Sequence, residues 1–130
     1  MIENLDNKTL EAILNVMPIE ISFIDKNDEV KYFNKNGDRI FPRPRSVIGK
    51  KVQQCHPLKS LQKVVQIINA FKSGEKNIAE FWIDFKGMKV YIRYCPVRNE
   101  KGEYLGTLEV SQNITGIKKL EGEKRLVDWE

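Results

Sequence analysis

The segment KVYIRYCPVRNEKGEYLGTLEVSQNI, residues 89–114, alternates apolar and polar side chains on both sides of a short polar stretch. Alternation with a period of two is typical of β-strands, because successive side chains point to opposite faces of a sheet. The intervening RNEKGE, residues 98–103, has the glycine and the charged residues of a turn. The segment therefore predicts two antiparallel strands in sequence.

Three further strands are predicted by the same alternation. NIAEFWIDF, residues 77–85, precedes the opening segment and is separated from it only by KGM. IEISFID, residues 19–25, and EVKYFN, residues 29–34, flank a polar turn and indicate a β-hairpin. In the first strand Ile19, Ile21 and Phe23 share one side, and these side chains are expected to face the core.

Two helices are predicted by apolar residues at three- and four-residue spacing. A short helix begins at Asp6 or Asn7, which can cap it, and ends at Val16 before Pro18. A long helix begins near Pro57 and ends near Gly74. The chain is thus expected to be α+β, with a five-stranded antiparallel sheet and a helical cap over one face. The space between sheet and cap is either fully packed or a ligand pocket.

The last 16 residues, TGIKKLEGEKRLVDWE, form a charged segment with a thin apolar stripe. They predict an exit helix that must lean on a partner or on the sheet, because an isolated helix of this length is marginal. The expected organisation is an N-terminal helical cap over 1–17, a central domain over 18–114 and a coiled-coil-like linker helix over 115–130.

Composition indicates a single globular domain of 130 residues with a net charge of +4. No apolar run reaches the length of a membrane span, and the polar N-terminus does not resemble a signal peptide. A cytoplasmic location is therefore expected. Two distant cysteines predict no disulfide framework, and the modest charge makes nucleic-acid binding unlikely. No nucleophile–base pair or phosphate-binding loop is present, so an enzyme is not expected.

The order of elements resembles the PAS domain family over residues 18–118. The pieces that carry the resemblance are DKNDEVKYFN, VIGKKV before the long helix, YCPVRNEKGEYLGTLEVSQ, and Asn113-Ile114-Thr115 at the sheet exit, where the family usually has Asp-Ile-Thr. The resemblance implies a sensory or interaction module that passes a signal through the segment after the sheet. Several stretches, among them EFWIDFKG and KLEGEKRL, are most similar to the PAS module at the C-terminal end of prokaryotic hemerythrin-like proteins. That likeness implies an output or hemerythrin-like domain in a longer protein.

The stretch QCHPLKS, residues 54–60, contains the only histidine of the chain. Its HPxKS pattern is similar to the haem-ligating segment of carbon-monoxide-responsive PAS transcription regulators. The resemblance implies haem b bound through His56, whereas the methionine that serves those proteins as second ligand is missing from AEFWIDF. Cys55 is a less favoured candidate ligand. Lys59, Lys63 and Arg93 are candidates for the haem propionates.

The expected cavity walls are apolar side chains of the sheet and the long helix: Ile21, Phe23, Val64, Ile68, Phe81, Ile83, Ile92, Leu108 and Val110. Three alternatives stay open from the sequence: a haem sensor, a pocket for another small molecule, and a ligand-free module with a self-filled core. An outward Trp82 beside Tyr91 is a candidate interface, and a homodimer is expected.

Overall fold

A computed structural model describes residues 1–35 and 37–129. Asn36 and Glu130, the last residue of the predicted exit helix, lie outside the described residues. Five strands form one antiparallel sheet in the order β2-β1-β5-β4-β3, which confirms the predicted fold class. The strands are β1 Glu20–Asp25, β2 Val30–Phe33, β3 Ala79–Phe85, β4 Met88–Arg98 and β5 Tyr104–Asn113.

The α-helices among the described residues are α1 Asn7–Val16, α2 Val52–Cys55 and α3 Leu58–Lys72. The Asp6 side chain accepts a hydrogen bond of 2.7 Å from the Thr9 N–H and caps α1, as predicted. Gly74, with φ of +77°, follows the last turn of α3 and allows the chain to reverse there. None of these helices is long and apolar enough to cross a membrane.

The sheet has two different faces. The inner face is covered by α3 and by the cap loop, residues 37–50, and it contains two clusters of buried apolar side chains. One cluster joins Ile24 of β1 to α2 and α3, and the other joins Phe71 of α3 to β4. The members are Ile24, Val52, Val64 and Ile68 in the first cluster, and Phe71, Val90, Ile92 and Tyr94 in the second.

The inner face of β1 and β5 is polar, contrary to the sequence prediction. Because Ile24 faces α3, the alternation of β1 also turns Glu20 and Ser22 inward. Across the register Ser22 lies opposite Glu109, so β5 likewise presents its polar set inward. The buried polar side chains of the two strands are Glu20, Ser22, Thr107, Glu109 and Ser111.

The apolar set of the same strands faces outward, so Ile21, Phe23, Leu108 and Val110 are not walls of an internal cavity. They pair across the β1–β5 register, Ile21 with Val110 and Phe23 with Leu108. The apolar side of α1 requires apolar contacts to be buried. The helix is joined to the end of β2, because the Asn34 side chain donates a hydrogen bond of 2.7 Å to the Leu14 carbonyl. The prediction placed these residues on the wrong face because it assigned the most apolar side of each strand to the cap.

The predicted exit helix is absent through residue 129. A single 3₁₀ turn over Ile117–Lys119 follows β5, and residues 120–129 contain no helix. Leu120 and Trp129 are exposed there, at 77% and 86%. The physical reason is the thin apolar stripe, since a short charged segment does not hold a helix without tertiary packing.

Gly106 of β5 lies close against the backbone of β1. A Cβ built there would lie 2.2 Å from the Ile24 carbonyl oxygen and 2.6 Å from the Phe23 ring. Gly106→Ala is therefore expected to force the strands apart and to lower the free energy of unfolding by about 1–3 kcal/mol. Urea unfolding measures the change.

Gly116→Ala is the matched control, because its added methyl group meets nothing within 4 Å and its backbone needs no positive φ. An equal loss in both variants would show that the close contact at Gly106 is unimportant.

Candidate ligand-binding site

A cavity of about 370 Å³ lies between the first half of α3 and the inner face of the sheet. This volume is within the range of small-molecule sites, about 300–1,000 Å³. Its apolar lining comes mainly from β3–β4, with Val64 and Ile67 of α3 and Phe41 of the cap loop. Its polar lining comes from the start of α3, the cap loop and β5. We call it the helix lobe; its lining residues are Phe41, Arg43, His56, Lys59, Ser60, Lys63, Val64, Ile67, Phe81, Ile83, Ile92, Tyr94 and Glu109.

A second cavity of about 310 Å³, the loop lobe, lies under the cap loop beside β1. It is lined by Ser22, Ile24, Pro42, Lys50, Cys55 and their neighbours. Arg43, His56 and Glu109 line both lobes, so these three side chains form the partition between them. Residues from α2, the cap loop and β5 therefore meet at one point inside the domain.

Arg39 anchors the start of the cap loop. Its side chain is 3% exposed and donates to the Asn34 carbonyl at 2.7 Å and to the Phe41 carbonyl at 3.0 Å. The Glu20 carboxylate, also 3% exposed, lies 3.7 Å from Arg39 and accepts hydrogen bonds from the Ile40 and Phe41 N–H groups at 2.6 and 2.9 Å. Burial lowers the pKa of the Arg39 guanidinium, and the Glu20 charge opposes that shift. Each buried charge thus has a partner, as its desolvation requires.

Arg43 is held less firmly. It stands between Pro42 and Pro44, whose rings restrict the backbone, and its Nη2 lies 3.4 Å from the Glu109 Oε1. Charge-assisted hydrogen bonds normally measure about 2.7–2.9 Å, so this pair is a weak contact. The two side chains are 26% and 10% exposed.

Positive charge predominates around the two lobes. The cationic side chains outnumber the anionic one among the described lining residues: Arg43, Lys50, Lys59 and Lys63 against Glu109. Lys63 also lies 5.4 Å from the centre of the Phe81 ring, which favours a cation. Burial raises the pKa of the Tyr94 hydroxyl, and the nearby Glu109 charge adds to the shift. Tyr94 therefore stays a neutral hydroxyl. Because cationic lining residues outnumber the anionic one, the two lobes favour an anionic guest.

His56 ends α2 and precedes Pro57, which keeps it in extended backbone geometry with φ of −109°. Its ring is half-buried, and Nδ1 lies 3.3 Å from the Val52 carbonyl oxygen. With the proton on Nδ1, this contact leaves Nε2 with its lone pair. A histidine held in this way is suited to accept a hydrogen bond or to ligate a metal.

The structure brings together most, but not all, of the residues predicted for the site. His56, Lys59, Lys63, Val64, Phe81, Ile83 and Ile92 line the helix lobe. Ile68 is buried in the core cluster instead, and Cys55 lines only the loop lobe, where its thiol donates to the Lys51 carbonyl at 3.4 Å. Arg93 pairs with Val110 in register and faces outward with it, so it cannot meet a ligand in the helix lobe.

Arg43, Tyr94 and Glu109 were missed by the sequence analysis. The available signal was the polar side of β5, because a buried strand with Thr107, Glu109 and Ser111 on one face indicates partners for those groups. Arg43 and Arg45, on either side of Pro44, form a visible cluster in the sequence, but nothing there indicates which carboxylates they meet. Long-range pairing of this kind depends on the strand register.

The sheet exit begins at Asn113, the last residue of β5 and four residues after Glu109 at the partition. Asn113 Oδ1 accepts hydrogen bonds from the Thr115 N–H at 3.0 Å and the Thr115 hydroxyl at 2.6 Å. Thr115 Oγ1 in turn accepts from the Lys89 N–H at 2.9 Å. The exit segment is therefore tied to both β5 and β4, and a shift of β5 would reach it.

Comparisons with known proteins show the family. A PAS domain family model matches residues 10–115, and this chain belongs to the PAS domain family. The crystal structure of a C-terminal domain from Streptococcus mutans is 32% identical, with a TM-score of 0.85 over 90% of this chain and 91% of that one. A search of curated proteins found no match.

More distant solved structures show the same fold. A PAS domain from Colwellia psychrerythraea is 17% identical, with a TM-score of 0.58 over 84% of this chain and 97% of that one. A sensory box sensor histidine kinase structure from Vibrio cholerae is 14% identical, with a TM-score of 0.58 over 83% of this chain and 91% of that one. These likenesses show that the chain has the PAS fold.

Arg39→Gln is expected to lower the free energy of unfolding by about 3–5 kcal/mol, because it leaves the buried Glu20 carboxylate without its counter-charge. Chemical denaturation followed by circular dichroism measures the loss. Arg125→Gln, which removes an exposed pair with Glu123, serves as the control and should change stability by less than about 1 kcal/mol. Equal effects would mean that the Arg39 anchor contributes nothing.

Proposed function

We propose that this PAS domain is a sensor that binds a small molecule in the helix lobe and passes the change to the segment after β5. The observation that carries the proposal is the composition of the lobe. One wall is apolar, with Phe81, Ile83 and Ile92, and the opposite side is polar and charged, with Arg43 and Glu109. A cavity with an apolar body and a few convergent polar groups is typical of a ligand site.

The proposed route to the output runs along β5. Glu109 lines the lobe, and Asn113, four residues further on the same strand, caps Thr115. When β5 has two conformations, a ligand with a higher affinity for one of them shifts the population of β5 and of the exit segment toward it. The size of the shift is set by the difference in affinity. The exit segment would then act on an output domain, for which a hemerythrin-like domain is one candidate by resemblance.

Haem b is a second candidate occupant, favoured by His56. The residues present fit it: Nδ1 contacts the Val52 carbonyl, so Nε2 is available for iron, the wall at Phe81 is apolar, and Lys59 and Lys63 at the entrance suit propionates. Haem would supply an iron centre for gas binding or redox change. In either case this chain's contribution is the same, to orient the guest and to exclude water from it.

The ligand proposal is tested on the purified protein by its absorption spectrum, before and after adding haemin, and by mass spectrometry of its solvent extract. A Soret band that His56→Ala abolishes identifies the haem sensor. A bound organic molecule that survives in His56→Ala identifies a sensor of another ligand.

Gln53→Ala is the matched control, because this exposed neighbour on α2 lines neither lobe. No bound molecule and no haemin band in the parent protein would contradict the sensor proposal. The domain would then be a ligand-free interaction module.

We also propose a homodimer through the outer face of β3 and β4. Trp82 is 65% exposed there, and the exposed Glu80 and Arg93 lie opposite one another in the register beside it. An apolar side chain flanked by both signs of charge is self-complementary when two copies meet across a two-fold axis.

Trp82→Ala is expected to weaken this dimer at least tenfold, because a central tryptophan is a typical interface hot spot, with a cost of about 2 kcal/mol or more. Analytical ultracentrifugation measures the change in dissociation constant. An exposed apolar side chain of the exit segment, Leu120→Ala, serves as the comparison. A monomeric parent protein, or an unaffected variant, would contradict the outer-face dimer.

A further inference from the structure

The partition between the two lobes differs from an ordinary structural ion pair. Arg43 and Glu109 lie where the helix lobe and the loop lobe meet, and both side chains line both lobes. They are joined by one contact of 3.4 Å. The Arg39 guanidinium, by contrast, makes several backbone hydrogen bonds and is almost fully buried.

The two arginines therefore hold the cap loop in different ways. Arg39 fixes the start of the loop through several backbone hydrogen bonds, and its side chain is 3% exposed. Arg43, four residues later, keeps donors that the weak contact with Glu109 does not satisfy. A guanidinium has five N–H donors in a fixed fork, which suits a bidentate carboxylate far better than the single long contact present here.

Resting on the proposed sensor function, we infer that the ligand is an amphiphilic carboxylate whose head group replaces Glu109 on Arg43. Its apolar body lies in the helix lobe against Phe81 and Ile83, and its carboxylate reaches Arg43 at the partition. Glu109 is thus an internal competitor for the arginine, and its release is the event that β5 senses.

The charges around the partition support a carboxylate rather than a neutral guest. Arg43 is joined there by Lys50 from the loop lobe and by Lys59 and Lys63 from the helix lobe, and Glu109 is the only anionic side chain among the described lining residues. One added negative charge therefore reduces the excess positive charge of the site, whereas a cation would increase it. His56 at the same point offers either a donor or an acceptor to the head group.

The test compares two probes with the same body, octanoate and 1-octanol, by isothermal titration calorimetry on the full chain. Glu109→Gln keeps the shape and removes the competing charge, so octanoate should bind about tenfold more tightly than to the parent. Arg43→Gln should weaken octanoate by at least about tenfold. The affinity for 1-octanol should be the same in all three proteins.

Two further variants keep the test decisive. Arg45→Gln changes an arginine of the same proline-rich segment that lines neither lobe, and it should bind both probes as the parent does. If Arg43→Gln fails to fold because it leaves Glu109 buried without a partner, the double variant Arg43→Gln/Glu109→Gln removes both charges. The double variant should bind 1-octanol normally and lose the preference for octanoate.

The outcomes separate this inference from the sensor proposal. If both probes bind but Glu109→Gln binds octanoate no more tightly than the parent, the competition between ligand and Glu109 is refuted while the cavity stands as a ligand site. If neither probe binds any variant, both the inference and the small-molecule sensor in its organic-ligand form are overturned. A preference for 1-octanol over octanoate in the parent also overturns the inference.

Discussion

Two carboxylates on the inner face of the sheet, Glu20 and Glu109, determine how the cap is attached. Neighbouring strands place both of them under the cap, where a charge without a partner is costly. Both partners come from the cap loop, Arg39 for the first and Arg43 for the second. The loop is therefore held to the sheet by electrostatic pairing in addition to the packing of Ile40 and Phe41 against the core.

This arrangement gives the two halves of the interior different compositions, and each half suits a different role. The half of the inner face on β3 and β4 is apolar and packs against Phe71, and it gives the domain its ordinary core. The half on β1 and β5 is polar and incompletely filled: the loop lobe lies over it, and the helix lobe extends from Glu109 over the neighbouring apolar side chains of β3 and β4. A site of this kind suits a sensor, because hydrogen bonds and ion pairs can be exchanged with a guest while the apolar core keeps the fold intact.

The connection from the interior to the sheet exit is short because one strand carries residues of both. Glu109 and Asn113 are on one strand, and Asn113 holds Thr115 through two hydrogen bonds. The family's usual aspartate at this position is replaced by asparagine, whose amide oxygen accepts the same two bonds without a charge. In the proposed sensor, a change in how Glu109 is held would pass through the backbone of β5 and the Asn113–Thr115 hydrogen bonds, with no long side-chain relay.

The strands, the two main helices and the family were readable from the sequence, because alternation, helical spacing and capping residues act over a few residues. His56 and Lys59 of QCHPLKS, together with Lys63, line the helix lobe because they lie at the start of the helix that covers the sheet. Which face of β1 and β5 points inward was not readable, because both faces carry side chains that pack somewhere. Which face points inward depends on how α1 and the cap loop are placed relative to the sheet.

The sequence by itself thus determined the five strands, the two main helices, their order and the α+β class, through local backbone preferences and periodicity. Only the tertiary structure decided that Ile21, Phe23, Leu108 and Val110 face outward and that Glu20 and Glu109 face inward. It alone also joined Arg43 to Glu109 across 66 residues of chain. Register couples every side chain of a strand to one choice of face, and that choice is made by the partners of the whole sheet.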